Sequence, residues 1–161
     1  MVLSLEDPAV RSYIVYSSVL ALKMLGVATL TSLTRGRRKA FANPEDAKAF
    51  KGKIKMDDPE VERVRRAHLN DLENIPAFWI LGALYLTTGP AGEWATLLFR
   101  LAAAGRVLHT LVYAVVPLPQ PTRALAYLVP YGINVYMGVQ VVLHHLNVMP
   151  IFFFFLINYA I

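Results

Sequence analysis

At 161 residues the chain has the size of one domain. Hydrophobic residues make up 56% and charged residues only 17%, against about 25% charged in soluble domains. This balance argues against a disordered chain, a soluble nucleic-acid binder or an ordinary cytosolic enzyme; the absence of cysteine excludes a disulfide framework, a thiolate nucleophile and a Cys-ligated metal.

The placement of the charges predicts the elements. From residue 12 to residue 34 only Lys23 is charged, and the 19 residues from Asn74 to Gly92 carry no charge at all. From Trp94 to Thr122 the only charges are Arg100 and Arg106, and the 38 residues from Ala124 onward carry none, leaving His aside. A helix crosses the hydrocarbon core with about 20 mostly apolar residues. Four membrane-spanning helices are therefore expected, at about 12–34, 66–86, 94–116 and 124–146. The first is not read as a cleavable signal peptide, because acidic Glu6 and Asp7 precede it, its apolar stretch is too long and a polar loop follows. Thr88-Gly89-Pro90 breaks the chain between spans two and three, and Pro117, Pro119 and Pro121 stiffen the connector between spans three and four. Pro76 and Pro130 fall inside spans, where membrane helices tolerate them. The fold class expected is an all-α membrane protein, a single four-helix bundle over 1–161. The apolar tail 147–161 is too short to span and reads as an interfacial or bundle-packed extension.

The net charge of +5 is a matter of topology. Eleven of the 16 Lys and Arg residues lie in 35–66. The positive-inside rule places the 35–65 loop in the cytosol, with the termini and the 87–93 turn on the opposite side. Six acids in the same stretch weaken any reading of it as a nucleic-acid patch, and no nucleic-acid partner is expected.

Ionisable groups inside a membrane are costly and mark functional sites by default. At about 100° per residue, Arg66, Asn70 and Glu73 form one stripe. Arg106, Thr110 and Tyr113 form a second with His109 beside it, and Arg123 and Tyr127 a third. All sit in the cytosolic half and describe a net cationic pocket. Arginine holds carboxylates in a planar fork, and Tyr offers a hydroxyl and an apolar face. The complement is a small anionic, amide-bearing ligand: a tripeptide such as glutathione, or an anionic lipid. The competing account makes Arg66 and Glu73 a register-setting ion pair and Arg106 and Tyr113 interhelical glue. Lys23 and Asp71 lie at comparable depth and are expected to pair as structural ions. Histidine spacing offers no H-E-x-x-H pattern, so no metal site is expected.

The stretch from Val61 to Asn74 (VERVRRAHLNDLEN) resembles the MAPEG family, the membrane-associated proteins in eicosanoid and glutathione metabolism. So do Phe41–Asp46 (FANPED), Gly105–Thr110 (GRVLHT) with Tyr113, and 117–125 (PLPQPTRAL). The similarity runs in order and spacing over about 13–146 and is greatest to the microsomal glutathione transferase branch. It implies a four-helix subunit in a homotrimer, with glutathione as co-substrate bound between subunits near the cytosolic face. Carried over by position, glutathione would be held by Arg35, Arg66, Asn70, Glu73, Arg106, His109, Tyr113 and Tyr127. Arg123 matches the arginine that stabilises the thiolate, and Asp46 matches an acid implicated in the prostaglandin synthase branch. The activity implied is conjugation of glutathione to lipophilic electrophiles, with peroxidase activity on lipid hydroperoxides, in the endoplasmic reticulum or the mitochondrial outer membrane. Leu69, Ala124 and Tyr131 replace the Arg, Ser and Gln of the prostaglandin E synthase branch, which disfavours the isomerase alternative. Ala47 stands where the mammalian transferase has a cysteine open to activating modification, so that regulation is not expected. A non-catalytic lipid-binding scaffold and a transporter are the remaining alternatives.

Overall fold

A computed structural model describes residues 4–148; the apolar tail lies outside the described residues apart from positions 147 and 148, which close the last helix. The elements are α1 (Pro8–Arg38), β1 (Ala40–Phe41), α2 (Pro44–Ala49), β2 (Lys53–Ile54), α3 (Pro59–Leu86), α4 (Gly92–Thr110) and α5 (Thr122–Val148). A π-helical turn, Leu111–Val115, extends α4.

Three helices start with the same local chemistry. Asp7-Pro8, Asn43-Pro44 and Asp58-Pro59 each put a carboxylate or amide oxygen at the N-cap and a proline in the first helical turn. The cap oxygen accepts from an otherwise unpaired N–H, and proline there gives up no hydrogen bond. α1 ends where Lys39 turns left-handed (φ 54°), and Arg35, Arg37 and Arg38 sit in its last turn, where the helix dipole favours cations.

The boundaries differ from those expected from charge. α3 begins at Pro59 rather than at 66, because the Asp58 cap starts the helix while it is still polar. It is about 42 Å long at 1.5 Å per residue, longer than the hydrocarbon core is thick. α1, the α4 segment and α5 are each long and apolar enough to cross a membrane by length and composition. α3 completes the bundle: α1 packs on α3 and α4, and α5 packs on α3 and α4. Its charges stop at Glu73, and Asp71 and Asn74, on either side of that residue, are buried.

The bundle core is built from Leu20, Ile75, Phe78, Phe99, Ala102 and Met137. Tyr13, Phe78 and Phe99 meet at ring separations of 5.7–6.2 Å, and the Tyr13 hydroxyl donates to the Trp79 carbonyl. At Gly105, α4 approaches α5 so closely that a Cβ would lie 2.8 Å from Pro130 Cδ.

The 35–65 segment is not an irregular loop. α1 runs into it, α3 starts within it, and between them β1 pairs in parallel with β2 (Ala40 with Lys53, Phe41 with Ile54) around α2. Phe41 stacks on Phe50 at 5.6 Å. Asp58 ties the unit to α1 and α3: it caps the Glu60 and Val61 N–H groups and faces Arg38 and Lys55. Burial opposes ionisation of Asp58, but the Val61 N–H, Arg38, Lys55 and the Glu60 N–H outweigh it and hold its carboxyl below the usual carboxylate range.

Candidate functional site

Arg66, Leu69, Asn70 and Glu73 of α3 form one wall of a groove of about 270 Å³, and His109 of α4 and Tyr113 of the π-helical turn form the other. The α3 residues share a wall because three- and four-residue steps return to one helix face. The wider π turn carries Tyr113 onto the same side as His109, and the two rings stack at 5.4 Å.

α5 continues this aromatic arc. Tyr127 lies 6.3 Å from His109 and stacks on Tyr131 at 5.5 Å, the i and i+4 spacing placing both on one face. The Arg123 guanidinium lies 5.6 Å from the centre of the Tyr113 ring, within cation–π range. Arg123 is the second residue of α5, so the partial positive charge of the helix N-terminus adds to its own. His109 Nδ1 and Arg123 Nε are buried without a hydrogen-bond partner among the described residues. Both stand beside the groove with bonding capacity to spare.

Arg106 reaches the groove through Asn70 rather than by lining it. It is 2% exposed, and its Nη2 donates to Asn70 Oδ1 at 2.8 Å and to Asp71 Oδ1 at 2.5 Å. Lys23 of α1 donates to the other oxygen of Asp71, which is fully buried. Three helices thus converge on one carboxylate flanked by two cations. No ion pair joins Arg66 to Glu73 among the described residues.

Arg35 and Asp46 stand elsewhere. With Ser32, Gly36, Phe41 and Phe50 they line a separate groove of about 270 Å³ between the end of α1 and the β1–α2 unit. Arg35 Nη1 donates to the Ala40 carbonyl at 3.3 Å. These two are not brought to the α3–α4 groove. Asn134 of α5, which sequence reasoning did not single out, borders a further groove between α3 and α5. As a polar residue in the apolar middle of α5, it carried a signal.

The MAPEG family model matches residues 13–143, which takes in α3 and α4 whole, most of α1 and α5, and every site residue described in this section. The chain belongs to the MAPEG family. Among its MAPEG relatives, microsomal glutathione S-transferase 1 of Homo sapiens is 45% identical over 139 residues, covering 83% of this chain and 89% of that one. The Rattus norvegicus protein of the same name is 41% identical over the same coverage. Prostaglandin E synthase of Equus caballus is 42% identical over 135 residues, covering 83% of this chain and 88% of that one.

Proposed function

We propose that the protein is a membrane-bound glutathione transferase, which joins the glutathione thiolate to lipophilic electrophiles drawn from the bilayer. The observation that carries this reading is Arg123, at the N-terminus of α5 and over Tyr113, beside a groove walled by Arg66, Asn70, Glu73 and His109. The similarity to microsomal glutathione S-transferase 1 supports it.

The groove offers complementary chemistry at each point of a tripeptide. Arg66 would take a carboxylate in bidentate fashion, Glu73 an ammonium, and Asn70 a peptide group. A free thiol titrates near about 8.5, so little of it is thiolate at neutral pH. A guanidinium and a helix N-terminus beside the sulfur both favour the thiolate. Arg123 supplies the first and its place in α5 the second. Once formed, the thiolate attacks the electrophilic carbon; a sulfur–carbon bond forms and the leaving group departs with its electron pair. On a lipid hydroperoxide it attacks the terminal peroxide oxygen and breaks the O–O bond. The lipid alkoxide leaves with the electron pair and takes up a proton to become the alcohol, and the glutathione sulfur keeps the terminal oxygen as a sulfenic acid. A second glutathione thiol displaces that oxygen as water to give the disulfide. Binding and electrostatic preorganisation suffice, with no covalent enzyme intermediate.

Arg35 and Asp46 enter through assembly. In a homotrimer, the end of a neighbour's α1 would bring the Arg35 groove against the α3–α4 groove and complete the site. The Lys- and Arg-rich 35–66 region sets the site toward the cytosol under the positive-inside rule, in the endoplasmic reticulum or another microsomal membrane. A prostaglandin-H isomerase is the second reading, favoured by the prostaglandin E synthase similarity. Leu69 and Ala124 stand against it, each lacking the polar group of that branch.

Binding of radiolabelled glutathione to the detergent-purified protein tests the reading. Loss of a hydrogen bond to a charged group is worth about 1.5–3 kcal/mol, so Arg66→Ala and Glu73→Ala are each expected to weaken binding roughly tenfold or more. Unchanged affinity in both variants would move the ligand out of this groove.

A further inference from the structure

A groove of about 550 Å³ opens where the end of α1, the start of α3 and the π-helical turn meet. It shares no lining residue with the groove walled by Arg66, Asn70 and Glu73. Its chemistry is divided. Arg37, Arg38 and Arg63 line it together with a single carboxylate, that of Glu60. Leu30, Val64 and Val115 give it an apolar part. Leu30 lies about 10 Å from Arg37 along α1 at 1.5 Å per residue, toward the charge-free stretch of that helix.

The positive-inside rule accounts for cations on this side of the membrane, but not for a formed groove that leaves one of them unpaired. Glu60 holds Arg37 and Arg38 side by side, at 3.2 Å and 3.3 Å from its two oxygens, and Asp58 lies 3.5 Å from Arg38. Arg65 pairs with Glu62 at 2.8 Å. Arg63, half-buried in the groove wall, makes no ion pair among the described residues. Three guanidinium groups against one carboxylate leave the groove cationic. Guanidinium forks match the oxygens of a phosphate. A phosphate alone would leave the apolar part against water, whereas a phosphate carrying a hydrocarbon tail covers both. The height agrees. No charge falls between Met24 and Thr34, so the hydrocarbon boundary lies near Arg35. Lipid phosphates sit just outside that boundary, level with Arg37 and Arg38.

We propose that this groove binds an anionic phospholipid of the adjoining leaflet. Arg63 and Arg37 hold the phosphate, and the start of an acyl chain lies against Leu30, Val64 and Val115. The site stands apart from the glutathione groove and does not rest on the transferase reading.

Native mass spectrometry of the detergent-purified protein, titrated with dioleoylphosphatidic acid, tests this. Saturable binding is expected in the wild type. Arg63→Gln loses charged hydrogen bonds to the phosphate and is expected to bind roughly tenfold more weakly or worse. Lys53→Gln removes the same charge from the exposed β2 strand, outside the groove, and is expected to stay within about twofold at physiological salt. Arg37→Gln, at a side chain 73% exposed, is expected to weaken binding as Arg63→Gln does, and it keeps the comparison open should Arg63→Gln fail to fold. Two further ligands separate the lipid from its parts. Dioleoylphosphatidylcholine has the same tails with the phosphate charge balanced, and glycerol 3-phosphate has the phosphate without tails. Each is expected to bind at least roughly tenfold more weakly than phosphatidic acid. Absence of saturable binding, or equal losses in Arg63→Gln and Lys53→Gln, overturns the proposal. Phosphatidylcholine bound as tightly would make the arginines idle, and glycerol 3-phosphate competing as well as the lipid would assign the groove to a soluble phosphate ester. Either result refutes the lipid assignment.

Discussion

Asp71 is the group whose removal the bundle should tolerate least. Its two oxygens face Lys23 of α1 and Arg106 of α4, and Asp71 and Arg106 are 0% and 2% exposed. Asp71→Asn removes the one anion and leaves two buried cations facing each other. Breaking a buried ion pair from one side costs about 3–5 kcal/mol. For a chain of this size each kcal/mol moves the unfolding midpoint by about 2–4 °C, so a drop of roughly 6–20 °C is expected. Lys23→Met removes the excess cation and leaves a neutral Asp71–Arg106 pair. It loses a charged hydrogen bond but also relieves a desolvated ammonium, for a net cost of about 0–2 kcal/mol. Thermal unfolding in detergent, followed by the fluorescence of Trp79 and Trp94, compares the two. Glutathione affinity in Lys23→Met is expected to stay within about twofold, since Asn70 is held by Arg106 and not by Lys23. Asp71→Asn no less stable than Lys23→Met would refute the charge arithmetic, and a collapse of binding in a stable Lys23→Met would refute its structural role.

Other perturbations have definite outcomes. Gly105→Val drives a branched side chain into the rigid Pro130 ring and is expected to destabilise the α4–α5 contact by about 1–3 kcal/mol in the same assay; a neutral result would mean that the helices separate freely there. Asp58 has a lowered pKa in the folded protein, so its contribution is complete above its unfolded value of about 3.9 and is lost as pH falls through the folded value. The stability gap between wild type and Asp58→Asn should close over that acid range; a gap independent of pH would show that the charge is idle. Because the chain has no cysteine, single-cysteine labelling is clean. Lys48→Cys is expected to react from the cytosolic side of sealed microsomes and Ala91→Cys only after permeabilisation, and the reverse pattern would invert the topology.

Charge-free runs made the long helices legible, because a membrane penalises charge along the whole span. Less was legible at α3, where the polar first turns hid the helix start, although Asp58-Pro59 signalled it. The β1–α2–β2 unit was not legible, since a two-residue strand has no periodicity to detect. In the candidate site, helical spacing grouped Arg66, Asn70 and Glu73, and they do share a wall. The link from Arg106 to Asn70 and Asp71 crosses between helices, and single-helix angles carry no information about which neighbour stands at which height. Arg35 and Asp46 matched the family pattern by position, yet the chain holds them in a different groove.

Thiolate absorbance on adding glutathione to the detergent-purified protein tests the central claim most directly, in the wild type and in Arg123→Ala. A thiolate signal at neutral pH in the wild type, lost in Arg123→Ala while glutathione still binds, is the expected result. Bound glutathione without a thiolate in the wild type, or a thiolate that persists in Arg123→Ala, would contradict the role given to Arg123.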